Sequence, residues 1–445
     1  MQTHPARRGG RGRSWAHLGA LLVVVSSLGC AQGTIGSDGG AGDVGGSGDL
    51  SVGLDAGGPT DAAARPDVPP AADAEGPGDA DAAPDTGGSA DAEVRADAEV
   101  RADAAMPARL PAWRVGIPLH TWTPIPGTAG AGGAAIDAWG AIAENEATAE
   151  LYVAASGGHH DSSDNRVVSI ALADDAPAWR LRSPSSTQVA PDVLYYPDGL
   201  PTSRHLYHHL HYLPGLDLIL LGGCRYGYGG GTPTGPGMDA FDLRANRWLP
   251  RGHFADITPF EGYVVEIDGT GAAWTTAGLR FDPASNTWSR PGSGPGLGRF
   301  PQAAAPARDL IFSLQFGDGQ GYDLGLGVVA RRLDTRTGRS EVITFSPSAA
   351  LDAFVAAQPT YAGMDYDAAN DHFLFYHGGE RGKVYVITPD TSTTWSMSVL
   401  PTVGLPDPTP ASGAGVNKRF RALPTLDGFV LLPQRSAELF FLRTR

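Results

Sequence analysis

Three segments of the chain place an apolar residue seven positions ahead of a tryptophan, with a polar turn between them. They run from Leu172 to Trp179 (LADDAPAW), from Phe241 to Trp248 (FDLRANRW) and from Phe281 to Trp288 (FDPASNTW). A looser copy runs from Ile387 to Trp395. Arg332-Leu333-Asp334-Thr335 opens another, in which Ser340 stands where the Trp is expected. Upstream of several copies lies an apolar run ending in a Gly pair: Leu151 to Gly158, Leu218 to Gly223 and Phe373 to Gly379. This spacing suits a hairpin between the last two strands of a small antiparallel sheet. The Trp offers a large apolar area to the next sheet, and the Gly pair permits a tight bend. One such sheet cannot bury both of its faces, so the copies must stack. From 109 to 445, short apolar runs alternate with Gly/Pro/Asn/Asp turns, and no long amphipathic helix stands out. An all-β domain is expected.

The paired Gly and the Trp-terminated hairpin together resemble kelch repeats, the blades of a β-propeller also found in the central domain of galactose oxidase. The resemblance covers 109–445 and implies a kelch-like propeller. Blades fall near 131–185, 204–251, 253–292, 300–345 and 355–400, and a sixth runs from about Lys418 to the C-terminus. Six blades are expected, with seven as the alternative. The sixth lacks a final Trp strand, and Leu110-Pro111-Ala112-Trp113-Arg114 is the expected donor, closing the ring from the other end of the domain.

The remainder of the chain reads as an address and a spacer. Arg7, Arg8, Arg11 and Arg13 precede an apolar run from Leu18 to Leu28, which is signal-peptide length and too short to span a bilayer. Ser27-Leu28-Gly29-Cys30 resembles the lipobox of bacterial lipoproteins, departing from it in having Ser27 where Leu is preferred. The resemblance implies residues 1–29 as signal peptide and a diacylglycerol on the Cys30 sulfur. Ala31 in the next position points to the outer membrane. Residues 30–108 are rich in Ala, Gly, Asp and Pro and contain no aromatic residue. Such a stretch cannot bury enough apolar surface to order itself, so a disordered tether is expected. Much of the formal net charge of −15 resides there, and the folded part carries no basic nucleic-acid footprint. Two cysteines exclude a disulfide scaffold. A monomer attached to the membrane through the Cys30 lipid alone is expected.

In a four-stranded blade, the loop between the second and third strands emerges on the same face as the blade-to-blade connections. Polar residues converge on that mouth: His159, His160 and Asp161; Arg204, His205, Tyr207 and His208; Cys224, Arg225, Tyr226 and Tyr228; Tyr376 and Arg381; Lys418 and Arg419. Three functions use such a set. The first is recognition of a ligand, with an acidic glycan favoured and a protein ligand as a further alternative. His159, His205, Arg225, Tyr226, Tyr376, Arg381 and Arg419 would contact it.

The second is cleavage of a uronate polymer by β-elimination. Here His160 and His208 are candidate base and acid, Tyr207 or Tyr226 is an alternative acid, and Arg204 with Arg225 neutralises the carboxylate. Some polysaccharide lyases are propellers with sites of this type. The third is a divalent metal site, for which the His and Asp residues are suitable ligands. Copper-radical oxidation is not expected, since no further domain follows to deliver another His. A repeated Arg ahead of an inner strand also suits an interblade clasp, and Cys224 suits a buried thiol.

Overall fold

The computed structural model describes residues 109–445 apart from 137–138, 158–161, 224–226, 230–236, 258–262, 293–296, 298–300, 320–322, 381, 405 and 407–414. The described residues form a six-bladed β-propeller. Blade 1 contains β2 (Ala143–Asn145), β3 (Glu150–Ala154), β4 (Val167–Ala171) and β5 (Arg180–Ser183). Blade 2 contains β6 (Leu210–Leu213), β7 (Leu218–Gly222), β8 (Met238–Asp242) and β9 (Arg247–Trp248). Blade 3 contains β10 (Val264–Ile267), β11 (Ala273–Thr275), β12 (Arg280–Asp282) and β13 (Thr287–Ser289). Blade 4 contains β14 (Gln302–Ala305), β15 (Leu310–Phe316), β16 (Val328–Asp334) and β17 (Ser340–Val342).

Blade 5 adds a short parallel strand, β18 (Thr344–Phe345), outside β19 (Gly363–Asp367), β20 (His372–Tyr376), β21 (Val384–Thr388) and β22 (Thr394–Leu400). Blade 6 contains β23 (Phe420–Leu423), β24 (Gly428–Leu431) and β25 (Phe440–Arg443), and its outer strand is β1 (Trp122–Pro124). Neighbouring innermost strands touch one another and line a central channel.

The repeated hairpin has a simple physical basis. Phe241 lies directly opposite Trp248, and Phe281 opposite Trp288, with ring centroids 5.4 and 4.8 Å apart. Asp242 Oδ1 accepts the N–H groups of Arg244 and Ala245, each at 2.9 Å, and Asp282 Oδ1 accepts that of Ala284 at 2.9 Å. The turn then needs a left-handed residue, supplied by Asn246 (φ 49°) and Asn286 (φ 55°). Blade 4 keeps the Asp, as Asp334, and uses Gly338 (φ 67°) in place of Asn. The Gly pair of blade 2 serves two needs. A Cβ on Gly222 would lie 2.2 Å from the Val264 Cβ of blade 3, and Gly223 has φ 97°.

Ring closure differs from the expectation. The closing strand is Trp122–Pro124, paired antiparallel with β25 so that Trp122 faces Leu442 and Pro124 faces Phe440. An outermost strand tolerates the missing N–H of Pro124. The segment proposed from sequence, 110–114, instead contains a short 3-10 turn, Ala112–Arg114, entered from Pro111 (φ −62°). Its side chains still bind the seam. Trp113 packs edge-on against Phe441 at 5.3 Å, and its Nε1 donates to the Leu172 carbonyl at 3.0 Å. Arg114 is buried and donates to the Leu426 carbonyl at 2.8 Å. A nine-residue helix not expected from sequence, Ala349–Ala357, connects blades 4 and 5. Ser348 caps it by accepting the Leu351 N–H, and Phe354 anchors it against Phe375 and Tyr385.

Candidate functional site at the propeller mouth

At the mouth, the chain must turn from one blade's outer strand into the next blade's inner strand. Four of these entries use a non-glycine residue with left-handed backbone: Trp139 (φ 47°), Tyr207 (φ 41°), Tyr361 (φ 48°) and Asn417 (φ 48°). An aromatic residue there costs roughly 1–2 kcal/mol relative to glycine. The conformation is held by hydrogen bonds between blades. Tyr207 N–H donates to the Trp139 carbonyl at 2.9 Å, and Lys418 N–H to the Tyr207 carbonyl at 3.2 Å. Val416 and Asn417 N–H both donate to the Tyr361 carbonyl, at 2.7 and 3.1 Å.

The half-buried rings of Trp139, Tyr207 and Tyr263 form an aromatic arc with two buried histidines across blades 1 to 3. Trp139 lies 4.5 Å from the His205 ring and 6.4 Å from Tyr207, and His209 lies 4.5 Å from Tyr263. The Tyr207 hydroxyl is 3.0 Å from His205 Nδ1. A long connection, residues 184–209, joins blades 1 and 2 and carries His205, Tyr207 and His209 of this arc. Asn165 fastens it by donating to the Pro201 carbonyl at 2.8 Å and accepting from Ser186 N–H at 2.7 Å. Arg204 fastens its other end, donating from Nη2 to Asp239 Oδ2 at 2.9 Å, while Tyr195 Oη donates to Asp239 Oδ1 at 2.8 Å.

Below the arc, the channel is filled by charge. Lys418 Nζ donates to His211 Nδ1 at 2.7 Å and to Glu266 Oε1 at 3.1 Å. Arg421 hydrogen-bonds Glu144 and lies 3.2 Å from Asp365 and 3.9 Å from the second oxygen of Glu266. Five blades thus contribute to one buried ionic cluster. Burial raises the Glu144 carboxyl to about 7 against the opposing pull of Arg421. Burial also raises Asp365, again opposed by Arg421. Burial pushes Glu266 upward too, but Lys418, the His211 hydrogen bond and Arg421 outweigh it, so its net shift is downward. Burial, reinforced by Lys418, lowers His211 to about 4, in keeping with its role as acceptor. His208 is likewise held well below the ordinary imidazole range by burial and then by Lys418.

Several residues singled out in the sequence lie at or near this mouth. Tyr207 and His205 stand together in the arc. His208 is wholly buried behind it. Arg204 and Arg419 are wholly buried as clasps. Arg419 donates to backbone carbonyls, among them Pro433 at 2.8 Å and Val416 at 3.2 Å. Tyr376 is buried in the seam of blades 5 and 6, between Trp122 and Phe420 at 5.4 and 5.7 Å, and offers no ring face to a ligand. His159, His160, Asp161, Cys224, Arg225, Tyr226 and Arg381 lie outside the described residues, as does Cys30. Among the described residues, no three His, Cys, Asp or Glu side chains enclose a metal position.

Trp139, Tyr263, Glu144, Glu266, Asp365 and Arg421 were not anticipated. For the charged ones the signal was a charge inside a short, largely apolar strand, as in Val264-Val265-Glu266-Ile267. A cavity of about 280 Å³ opens on the opposite face, between blades 5 and 6, lined by Tyr366, Asp367, Phe429 and Arg445 among others.

No protein-family model matches this chain, and no curated protein matches it in sequence. Solved structures similar to this chain share little sequence with it. One is the structure of YjhT, at 10% identity and TM-score 0.42, covering 72% of this chain and 95% of that one. Another belongs to the mitotic checkpoint complex, at 9% identity and TM-score 0.38, covering 77% and 96%. A third is a GH74 xyloglucanase from Xanthomonas campestris, at 14% identity and TM-score 0.32, covering 59% of this chain and 47% of that one.

Proposed function

We propose that residues 109–445 are the ligand-binding head of a lipid-anchored bacterial envelope protein, and that the ligand docks at the aromatic arc of the mouth. The observation that carries this reading is the presence of two arc residues, Trp139 and Tyr207, at left-handed positions. Glycine would relieve the backbone cost at each, so the side chains are kept for what they contact. Flat aromatic faces beside hydrogen-bonding His and Tyr groups suit a sugar ring. Arg225, expected with Arg204 at the carboxylate, and Arg381, an expected ligand contact, belong to segments outside the described residues. Residues 1–29 serve as the signal peptide, Cys30 as the lipid attachment point and residues 30–108 as the spacer, in the outer membrane.

The Tyr207–His205 hydrogen bond favours a second reading, elimination chemistry on the same glycan. A half-buried phenol held 3.0 Å from a buried imidazole nitrogen is equipped to exchange a proton with a bound substrate. The two readings separate in one experiment. The protein is incubated with uronate-containing polysaccharides while ultraviolet absorbance from an unsaturated product is followed, and is run in parallel through glycan-loaded gels. Retardation without absorbance supports recognition, and absorbance lost in Tyr207→Phe supports the lyase. Neither signal would refute both and leave a protein ligand.

A further inference from the structure

We infer that the cavity between blades 5 and 6, on the face opposite the mouth, binds a small organic amine in its protonated form through the Asp367 carboxylate. The cavity has a volume of about 280 Å³, enough for a small organic molecule. Tyr366 and Phe429 form part of its wall, and both are buried and held in place. The Tyr366 hydroxyl donates to Asp371, which Arg308 of blade 4 also grips. Phe429 stacks on Phe420 at 5.0 Å. Ala368, Ala369 and Arg445 line the cavity and are exposed, so a solute has a way in.

The charges around the cavity do not cancel. Arg445 is matched by Asp427 at 2.9 Å, and Asp371 by Arg308. Asp367 is buried and has no Lys or Arg partner among the described residues. His372 Nε2 lies 3.6 Å from Asp367 Oδ2, beyond hydrogen-bond distance, and burial keeps that imidazole below its ordinary pKa. Asp268, the buried turn carboxylate of blade 3, by contrast has Arg280 at 3.8 Å. The turn at Asp367 does not need the charge. Asp367 Oδ1 accepts the N–H groups of Ala369 and Asn370 at 3.2 and 3.3 Å, and Oδ2 accepts Asn370 Nδ2 at 2.9 Å. Blade 1 makes the same four-residue turn between β2 and β3 with the neutral Asn145, whose Oδ1 accepts the Ala147 N–H at 3.2 Å. Both turns end on a left-handed residue, Ala149 (φ 52°) and Asp371 (φ 54°).

The lining decides the class of cation. A carboxylate oxygen accepts about two hydrogen bonds, so Asp367 Oδ2 keeps one position for an N–H donor. Among the described residues no three His, Cys, Asp or Glu side chains enclose a metal position, so a bare ion lacks ligands here. An organic ammonium finds its counter-charge in Asp367 and aromatic surface in Tyr366 and Phe429. The site is separate from the mouth and does not depend on the ligand proposed there.

The test uses the full-length protein at pH 7 and constant ionic strength, with benzylamine as the charged probe and benzyl alcohol as its neutral counterpart. Binding is followed by calorimetric titration and saturation-transfer NMR. Benzylamine should fill one saturable site, at least tenfold more tightly than benzyl alcohol. Asp367→Asn keeps the turn in the form blade 1 uses. It should match the wild type in near-ultraviolet circular dichroism and bind benzylamine at least tenfold more weakly. Ala369→Phe, at the exposed rim, should fold normally and weaken binding by obstructing the cavity, which decides the matter if Asp367→Asn does not fold. The inference would be overturned by the absence of saturable binding, by equal binding of the two probes, or by undiminished benzylamine binding in either folded variant.

Discussion

Lys418 of blade 6 donates its ammonium proton to His211 Nδ1 of blade 2 at 2.7 Å, across the entry of blade 1. This bond fixes the imidazole as a neutral acceptor and links the end of the chain to its second blade. The same ammonium neutralises Glu266 of blade 3. Replacing Lys418 with Met removes the charge and leaves Glu266 buried without its main partner. Destabilisation of about 3–5 kcal/mol is expected in urea unfolding. Adding Glu266→Gln should recover part of the loss. Equal loss in the single and double variants would show that the ion pair does not hold the ring.

His209 is buried, and its Nδ1 lies 3.0 Å from the Val264 carbonyl, which receives its proton. Burial lowers its pKa to about 3 from the ordinary 6.5. The unfolded chain therefore binds a proton below about 6.5 that the folded chain refuses, and stability is lost as pH falls through that window. His209→Gln removes this liability. Relative to the variant, the wild type should lose about 2 kcal/mol between pH 7.5 and pH 5. Denaturant titrations of both proteins at the two pH values measure the difference. A constant difference would mean that His209 charges freely in the fold.

Ring closure depends on Trp122–Pro124. A chain beginning at residue 118 keeps the closing strand and loses the Trp113 and Arg114 contacts. A chain beginning at residue 126 loses the strand and exposes the edge of β25. The first truncation should melt several degrees below the wild type, and the second should fail to fold cooperatively. Similar melting of the two would place closure elsewhere.

The left-handed aromatics predict a small net change in stability when one is replaced by glycine. Tyr361→Gly removes backbone strain at φ 48° and costs the packing of a half-buried ring. Its net effect on stability should stay within about 1 kcal/mol, whereas an aromatic replaced by glycine elsewhere in the core costs about 3–5 kcal/mol. A severe loss of stability would mark Tyr361 as a core residue.

Blade count, hairpin turns and the all-β class were legible because they rest on local chemistry. Asp242 and Asn246 set one turn, Asp282 and Asn286 another, and Phe281 meets Trp288 by register alone. The closing strand was misplaced because Trp113 carries the same apolar weight as Trp122, and only long-range pairing with Leu442 distinguishes them. The mouth was legible as a cluster, since topology brings blade entries together. Which side chains point into it was not: Tyr376 ends a strand on the buried face, and Arg204 turns inward to Asp239. The channel network was missed because Glu144, Glu266 and Asp365 each look unremarkable alone. Their meaning arises when five blades bring them to one axis.

The lipid anchor is open to a direct check. In a bacterial host, the mature protein should partition into detergent and carry a diacylglyceryl mass on Cys30. Cys30→Ala should lack that mass and retain residues 1–29. A wild-type protein without the added mass on Cys30 would refute the anchor.

The central claim concerns the aromatic arc, and glycan binding by the full-length protein and its Trp139→Ala variant tests it most directly. Both would be applied to an array of neutral and uronate-containing oligosaccharides. The wild type should bind a uronate-containing subset, and the variant, still folded, should bind at least tenfold more weakly. Unchanged binding by a folded Trp139→Ala protein would contradict the placement of the site.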